Sequence, residues 1–104
     1  MSAPVFIATK LDAFGDRGGD DFLMSHDLGD ALAVIDGREE LLGEFAGMDA
    51  ALARFVGETF ARLLATPKFT DYLGGHLPGD EASQARLPLL EAKLARLAAF
   101  AGLA

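Results

Sequence analysis

The sequence predicts an all-α fold, a compact bundle of about five or six helices forming a single domain over residues 1–104. Three observations predict it. Apolar residues recur at i, i+3, i+4 and i+7 along most of the chain, the spacing that gathers them on one helix face. No run alternates Val, Ile, Thr or aromatic residues with polar ones, and no tight Asn-Gly or Asp-Gly turn joins two such runs. Asp36-Gly37 does occur, but it follows a helical pattern, where glycine is the usual stop. Glycine, proline and small polar residues punctuate the periodic segments at lengths suited to short helices. A chain of 104 residues buries about 65% of the surface its unfolded form exposes. No disulfide is required at that size. None is possible either, since cysteine is absent, which fits a reducing cytoplasm.

The elements follow in order. The first helix is expected from Pro4 to Asp16, with the proline in the tolerated first turn. Ile7, Leu11 and Phe14 form its apolar stripe, widened by Phe6 and Ala13. Gly15, Gly18 and Gly19 end it in an acidic loop. Ser25 is a good N-cap for the second helix, and Asp27 in its first turn complements the helix dipole. Leu28, Ala31, Leu32 and Ile35 share one face, and Gly37 closes the helix. A short helix is expected from Arg38 to Ala46, ended by Gly47. Asp49 caps the next, which carries Leu52, Phe55, Val56, Phe60, Leu63 and Leu64 up to Thr66-Pro67. Pro67 opens a brief helix through Tyr72 and Leu73, terminated by Gly74 and Gly75. The stretch Gly74–Gly79 is the strongest loop signal in the chain. The last helix, capped by Asp80 or Ser83, runs towards Phe100 with Leu90, Leu94, Leu97 and Ala101 in register. Pro88 marks either a kink or the true start of that helix.

Charge narrows the function classes. The formal charge is -7, and between Asp12 and Asp30 six aspartates (Asp12, Asp16, Asp20, Asp21, Asp27, Asp30) face one arginine, Arg17. A phosphate backbone is repelled by such a surface, and no basic stripe offsets it, so no nucleic-acid binding is expected. No uncharged run approaches the ~20 apolar residues that span a bilayer, and MSAPVFIATKLDAF lacks the basic start of a signal peptide. No membrane association is expected, and a cytoplasmic location follows. Mean hydropathy is nonetheless positive, +0.25, which suggests apolar surface covered by a second copy, as in a homodimer, or by another protein.

The chemistry-bearing residues lie in the first third. Lys10 sits within an apolar helix beside Phe6, Ala13 and Phe14, where a lysine either snorkels to the edge or holds an anion at a pocket mouth. Arg17 follows seven residues later on the same face. Asp27 and Asp30 are i, i+3 neighbours flanking the apolar stripe of the second helix. Antiparallel packing of the two helices brings Lys10 opposite both aspartates. The plain interpretation of that meeting is a structural ion pair that holds the helices in register.

The segment Lys10-Leu11-Asp12-Ala13-Phe14-Gly15-Asp16-Arg17 matches a K-L-x-A-x-x-x-R pattern, and His26-Asp27-Leu28-Gly29-Asp30 resembles a following K-D-x-x-D pattern. Together they resemble the helical C-terminal half of the abortive-infection (AbiE-type) toxins, nucleotidyltransferases of toxin-antitoxin systems, over about Phe6 to Leu41. The resemblance implies a helical half that contributes a lysine and an aspartate to a site whose catalytic palm lies elsewhere. On that basis Lys10 and Asp27 would be the catalytic pair. Lys10 and Arg17 would bind the nucleotide, with Asp30 and His26 in support. The family's palm carries a Gly-Ser motif and a D-x-D carboxylate pair that clamps Mg²⁺. Neither motif occurs in this sequence, and His26 stands where the family has lysine. The chain is therefore expected to be inactive alone and to need no cofactor by itself. Mg²⁺ and a nucleoside triphosphate would enter only with a separate palm chain as partner.

The remaining candidates are weaker. His26 and Asp30 have an i, i+4 metal-ligand spacing but lack a third ligand of good spacing, so no metal site is expected. Ser25, His26 and Asp27 list the residue types of a hydrolase triad, yet consecutive helical side chains diverge and cannot relay a proton. His76 is expected to be an exposed polar residue of the Gly/Pro loop. Gly15, Gly18 and Gly19 follow a helix rather than a strand, which is the wrong setting for a phosphate-binding loop.

Overall fold

Helices follow one another from end to end of the computed structural model, which describes residues 2–16, 26–76 and 79–102. In chain order they are α1 (Ala3–Asp16), α2 (His26–Gly37), α3 (Leu41–Ala46), α4 (Ala50–Leu64), α5 (Pro67–His76), α6 (Glu81–Gln84) and α7 (Leu87–Ala98), closed by a 3₁₀ turn, Ala99–Gly102. The bundle expected from periodicity is the fold observed. Six of these helices have six residues or more, while α6 is a single turn. The radius of gyration, 12.9 Å, equals the ~13 Å expected of a folded globule of about this length. No helix among the described residues is long and apolar enough to cross a membrane.

The ends of the helices show why they fall where they do. Ser2 serves the start of α1, its Oγ accepting from the Val5 N–H at 3.4 Å and its carbonyl from Phe6 at 2.9 Å. Asp49 caps α4 by accepting from the Ala51 N–H, as its side-chain type predicts. At α6 the cap is Asp80 rather than Ser83, since the Asp80 carboxylate accepts from the Ser83 N–H at 3.0 Å. Pro88 kinks nothing. It lies in the first turn of α7, which truly begins at Leu87, where the missing proline N–H costs no hydrogen bond.

Two boundaries correct the sequence reading. α3 begins at Leu41, three residues beyond Arg38, because the Arg38 side chain folds back as a fork onto the Glu44 carboxylate and residues 39–40 form a turn. α5 does not stop at Gly74 and Gly75 but continues to His76. Each glycine costs a helix about 1 kcal/mol relative to alanine. Phe69 and Leu73, both fully buried in α5, return about 1.5–3 kcal/mol apiece. The Gln84 side-chain amide also donates to the Gly74 carbonyl at 3.0 Å, and Leu87 packs on that glycine.

The core joins Ile7, Leu11 and Phe14 of α1 to Leu28, Ala31, Leu32 and Ile35 of α2, completed by residues of α3, α4, α5 and α7. The expected stripe of α2 is buried in full, and on α1 Ile7, Leu11 and Phe14 are buried while Phe6 and Ala13 lie half-buried at the edge. On α4, Val56, Phe60 and Leu63 are buried, whereas Phe55 is 37% exposed and belongs to the edge rather than the core. α1 and α2 pack as an antiparallel hairpin, with Ala3 and Phe6 near Val34 and Gly37 and Lys10 near Asp27. α4 and α7 meet at unusually short range. A Cβ added to buried Gly57 would lie 2.5 Å from the Ala101 nitrogen, 2.8 Å from the Leu97 oxygen and 2.9 Å from the Phe100 carbonyl carbon. That crossing positions the C-terminal 3₁₀ turn directly on α4.

Candidate functional site

Lys10 lies one turn after Phe6 on α1, and Asp27 and Asp30 occupy adjacent turns of α2. The hairpin closes the distance between them. The Lys10 ammonium is 3.0 Å from Asp30 Oδ2 and 3.6 Å from Asp27 Oδ1, and it lies 5.5 Å from the centroid of the Phe6 ring. Side-chain exposure grades across the cluster, 12% for Asp27, 28% for Lys10 and 52% for Asp30. The hydrogen bond to Asp30, together with the charges of both carboxylates, raises the Lys10 ammonium above the usual lysine range, against a smaller opposing effect of burial.

Of the residues named from sequence, the structure thus brings Lys10, Asp27 and Asp30 together. His26 is the exposed first residue of α2 and forms no part of that contact. Arg17 and Ser25 lie outside the described residues, as does the side chain of His76. Among the described residues no three His, Cys, Asp or Glu side chains gather in a metal-holding group.

A second charged region escaped the sequence reading. Lys93, on α7, reaches across to the C-terminal end of α2. Its ammonium donates to the carbonyls of Ile35 at 3.2 Å, Asp36 at 3.1 Å and Arg38 at 3.5 Å. The first two are orphaned by the end of the helix and carry the negative pole of its dipole, and the third lies just beyond it. Arg86 adds an ion pair to Asp36 at 3.5 Å. α2 is therefore held by a cation at each end, Lys10 at its first turn and Lys93 at its last. Lys93 borders the Leu90/Leu94/Leu97 stripe, which was a readable signal that it faces a neighbour. Its target, a set of backbone carbonyls, carries no residue code at all.

Two hollows accompany these contacts. A wide-mouthed one of about 360 Å³ lies in the groove between α1 and α2, lined by Ala3, Phe6, Ala33, Val34, Gly37 and Arg38. A more enclosed one of about 80 Å³ lies between α3 and α7, with Arg38, Lys93 and Arg96 in its wall beside Leu41, Leu42 and Leu97. Neither is lined by Lys10, Asp27 or Asp30.

Chemically, the Lys10 cluster is one cation against two anions. It can join α1 to α2, and its outer edge at Asp30 meets solvent. No protein family matches this chain, and no curated protein or solved structure matches it.

Proposed function

We propose that this chain is a helical protein-interaction module without catalytic activity of its own, in which Lys10, Asp27 and Asp30 clasp α1 to α2. One observation carries the reading: the Lys10 ammonium is already matched by two carboxylates, at 3.0 and 3.6 Å. A triphosphate arriving there meets a local excess of negative charge and must displace Asp30 to reach the lysine. A divalent cation meets the ammonium instead. Neither half of a magnesium nucleotide is welcomed. Calorimetry of the chain with Mg²⁺ and each nucleoside triphosphate tests this directly. No heat of binding is expected, and a saturable heat abolished by Lys10→Met would overturn the reading.

Self-association is the first interaction to measure. Phe55 is 37% exposed, and mean hydropathy is +0.25, so a homodimer is the expected species in light scattering at micromolar concentration. A strictly monomeric mass would remove that part of the proposal and leave other proteins as the partners.

A second reading has its own support. Lys10 and Asp30 are 28% and 52% exposed, so the cluster lies at the surface, where a separate chain carrying a nucleotidyltransferase palm could approach it. In that reading the module is the helical half implied by the likeness to abortive-infection toxins, and Mg²⁺ and nucleotide bind only when the palm is present. Reconstitution with a palm chain bearing Gly-Ser and D-x-D motifs tests it, by nucleotide transfer that Lys10→Met abolishes.

A further inference from the structure

The cations of this acidic chain are unevenly placed. Of nine Lys and Arg residues, three, Arg38, Lys93 and Arg96, line one hollow of about 80 Å³ between α3 and α7, and Arg86 pairs with Asp36, whose carbonyl Lys93 binds. Two of the three lining cations are committed. Lys93 spends its donors on the carbonyls at the end of α2, and Arg38 forks onto Glu44. Arg96 is exposed and makes no ion pair among the described residues. Its planar fork of five N–H donors is free to take a carboxylate by two parallel hydrogen bonds.

Size and lining decide what kind of ligand fits. Small-molecule sites run to about 300–1,000 Å³, so 80 Å³ admits one carboxylate-sized group and excludes a nucleotide. Leu41, Leu42 and Leu97 share the wall with a single acid, Glu39. Leu89, 64% exposed, precedes Lys93 and Arg96 on α7 at i, i+4, i+7 spacing and so shares their flank. A guanidinium with no ion pair among the described residues, two turns from an uncovered leucine, matches an acidic and an apolar side chain a few residues apart on an extended segment. Lys93 cancels the negative pole of α2 that would otherwise oppose the incoming carboxylate.

We infer that this face docks an acidic peptide segment of a partner protein, one carboxylate seated on Arg96 over the hollow and an apolar side chain a few residues away seated on Leu89. The inference rests on the interaction-module reading and names the chemistry of its partner. The test is an amide-resolved NMR titration of the full chain with the peptide acetyl-Asp-Leu-Glu-Leu-Asp-amide, beside its Asn/Gln counterpart. Saturable shifts centred on Leu89, Lys93, Arg96 and Arg38 are expected with the acidic peptide only. Arg96→Gln should weaken binding roughly tenfold, the loss of one charge-assisted contact, with Arg96→Lys intermediate and the melting temperature unchanged in both. Absent shifts, shifts elsewhere, equal shifts with the neutral peptide, or an indifferent Arg96→Gln variant would each overturn it. So would self-association abolished by Arg96→Gln, which would make the occupant a second copy, or equal shifts at Arg96 with a nucleoside triphosphate. A magnesium-nucleotide heat lost in Lys10→Met but kept in Arg96→Gln would instead sink the module reading, leaving the peptide titration to stand or fall separately.

Discussion

At the residue scale, Lys10 has the most to lose. Removing it leaves Asp27, 12% exposed, facing a methyl group in place of an ammonium, whereas removing the charge of Asp30 affects a carboxylate 52% exposed. Loss of an ion-pair partner costs a carboxylate more the less water reaches it. Lys10→Met is therefore expected to lower the melting temperature more than Asp30→Asn, and the reverse order would contradict the clasp. The pH dependence has a definite sign. The folded chain holds Lys10 above its ordinary value of 10.5, so the protonated form is favoured by folding. That stabilisation is fully present below pH 10.5 and is lost as pH rises through the elevated folded value. The difference in melting temperature between wild type and Lys10→Met should stay level from neutral pH towards 10 and shrink above it. The meeting of Lys10 with Asp27 and Asp30 was readable in the sequence because helical spacing and a short hairpin connection suffice to align three positions. Their relative exposure was not readable, since it depends on how α1 and α2 tilt together.

At the scale of the elements, Gly57 and Gly43 are both glycines inside helices, and spacing alone does not tell them apart. Around Gly57 the obstructing atoms belong to the backbone of residues 97–101, which cannot rotate away. Gly57→Ala is expected to destabilise by about 1–3 kcal/mol, outweighing the ~1 kcal/mol helix-propensity gain of alanine. A Cβ on Gly43 meets nothing within 4 Å, so Gly43→Ala should stabilise by about 0.5–1 kcal/mol. Chemical denaturation of the two variants should give shifts of opposite sign. Lys93→Met removes three carbonyl contacts from the end of α2 and should cost about 1.5–3 kcal/mol, the range for hydrogen bonds to a charged group. A loss within a few tenths of zero would mean that water replaces the ammonium there. Helix existence and the buried stripes of α1 and α2 were legible because burial imposes periodicity. The extension of α5 over Gly74 and Gly75 was not, because tertiary burial of Phe69 and Leu73 overrides the local preference of the two glycines.

For the whole molecule, charge sets the environment in which these contacts work. The chain carries sixteen acidic and nine basic side chains, so long-range self-repulsion opposes the compact state. The ion pairs at Lys10, Arg38 and Arg86 act at contact distance, where screening matters less. Raising ionic strength from low to physiological, where the Debye length is about 8 Å, is therefore expected to raise the melting temperature. A fall would show that the contact pairs outweigh the repulsion. The excess of acid was visible in composition, and a small basic cluster stands within it. What composition hid was its location, because Arg38, Lys93 and Arg96 come together only when α2, α3 and α7 pack.

The bond from Lys93 to Ile35 spans 58 positions of sequence, so forming it closes a long loop at a cost in chain entropy. Contacts of that kind are typically absent when a chain crosses its folding barrier and present once it has arrived. Losing the ammonium should consequently leave the refolding rate nearly untouched and accelerate unfolding. One side chain would then govern how long the native form lasts rather than how fast it is reached.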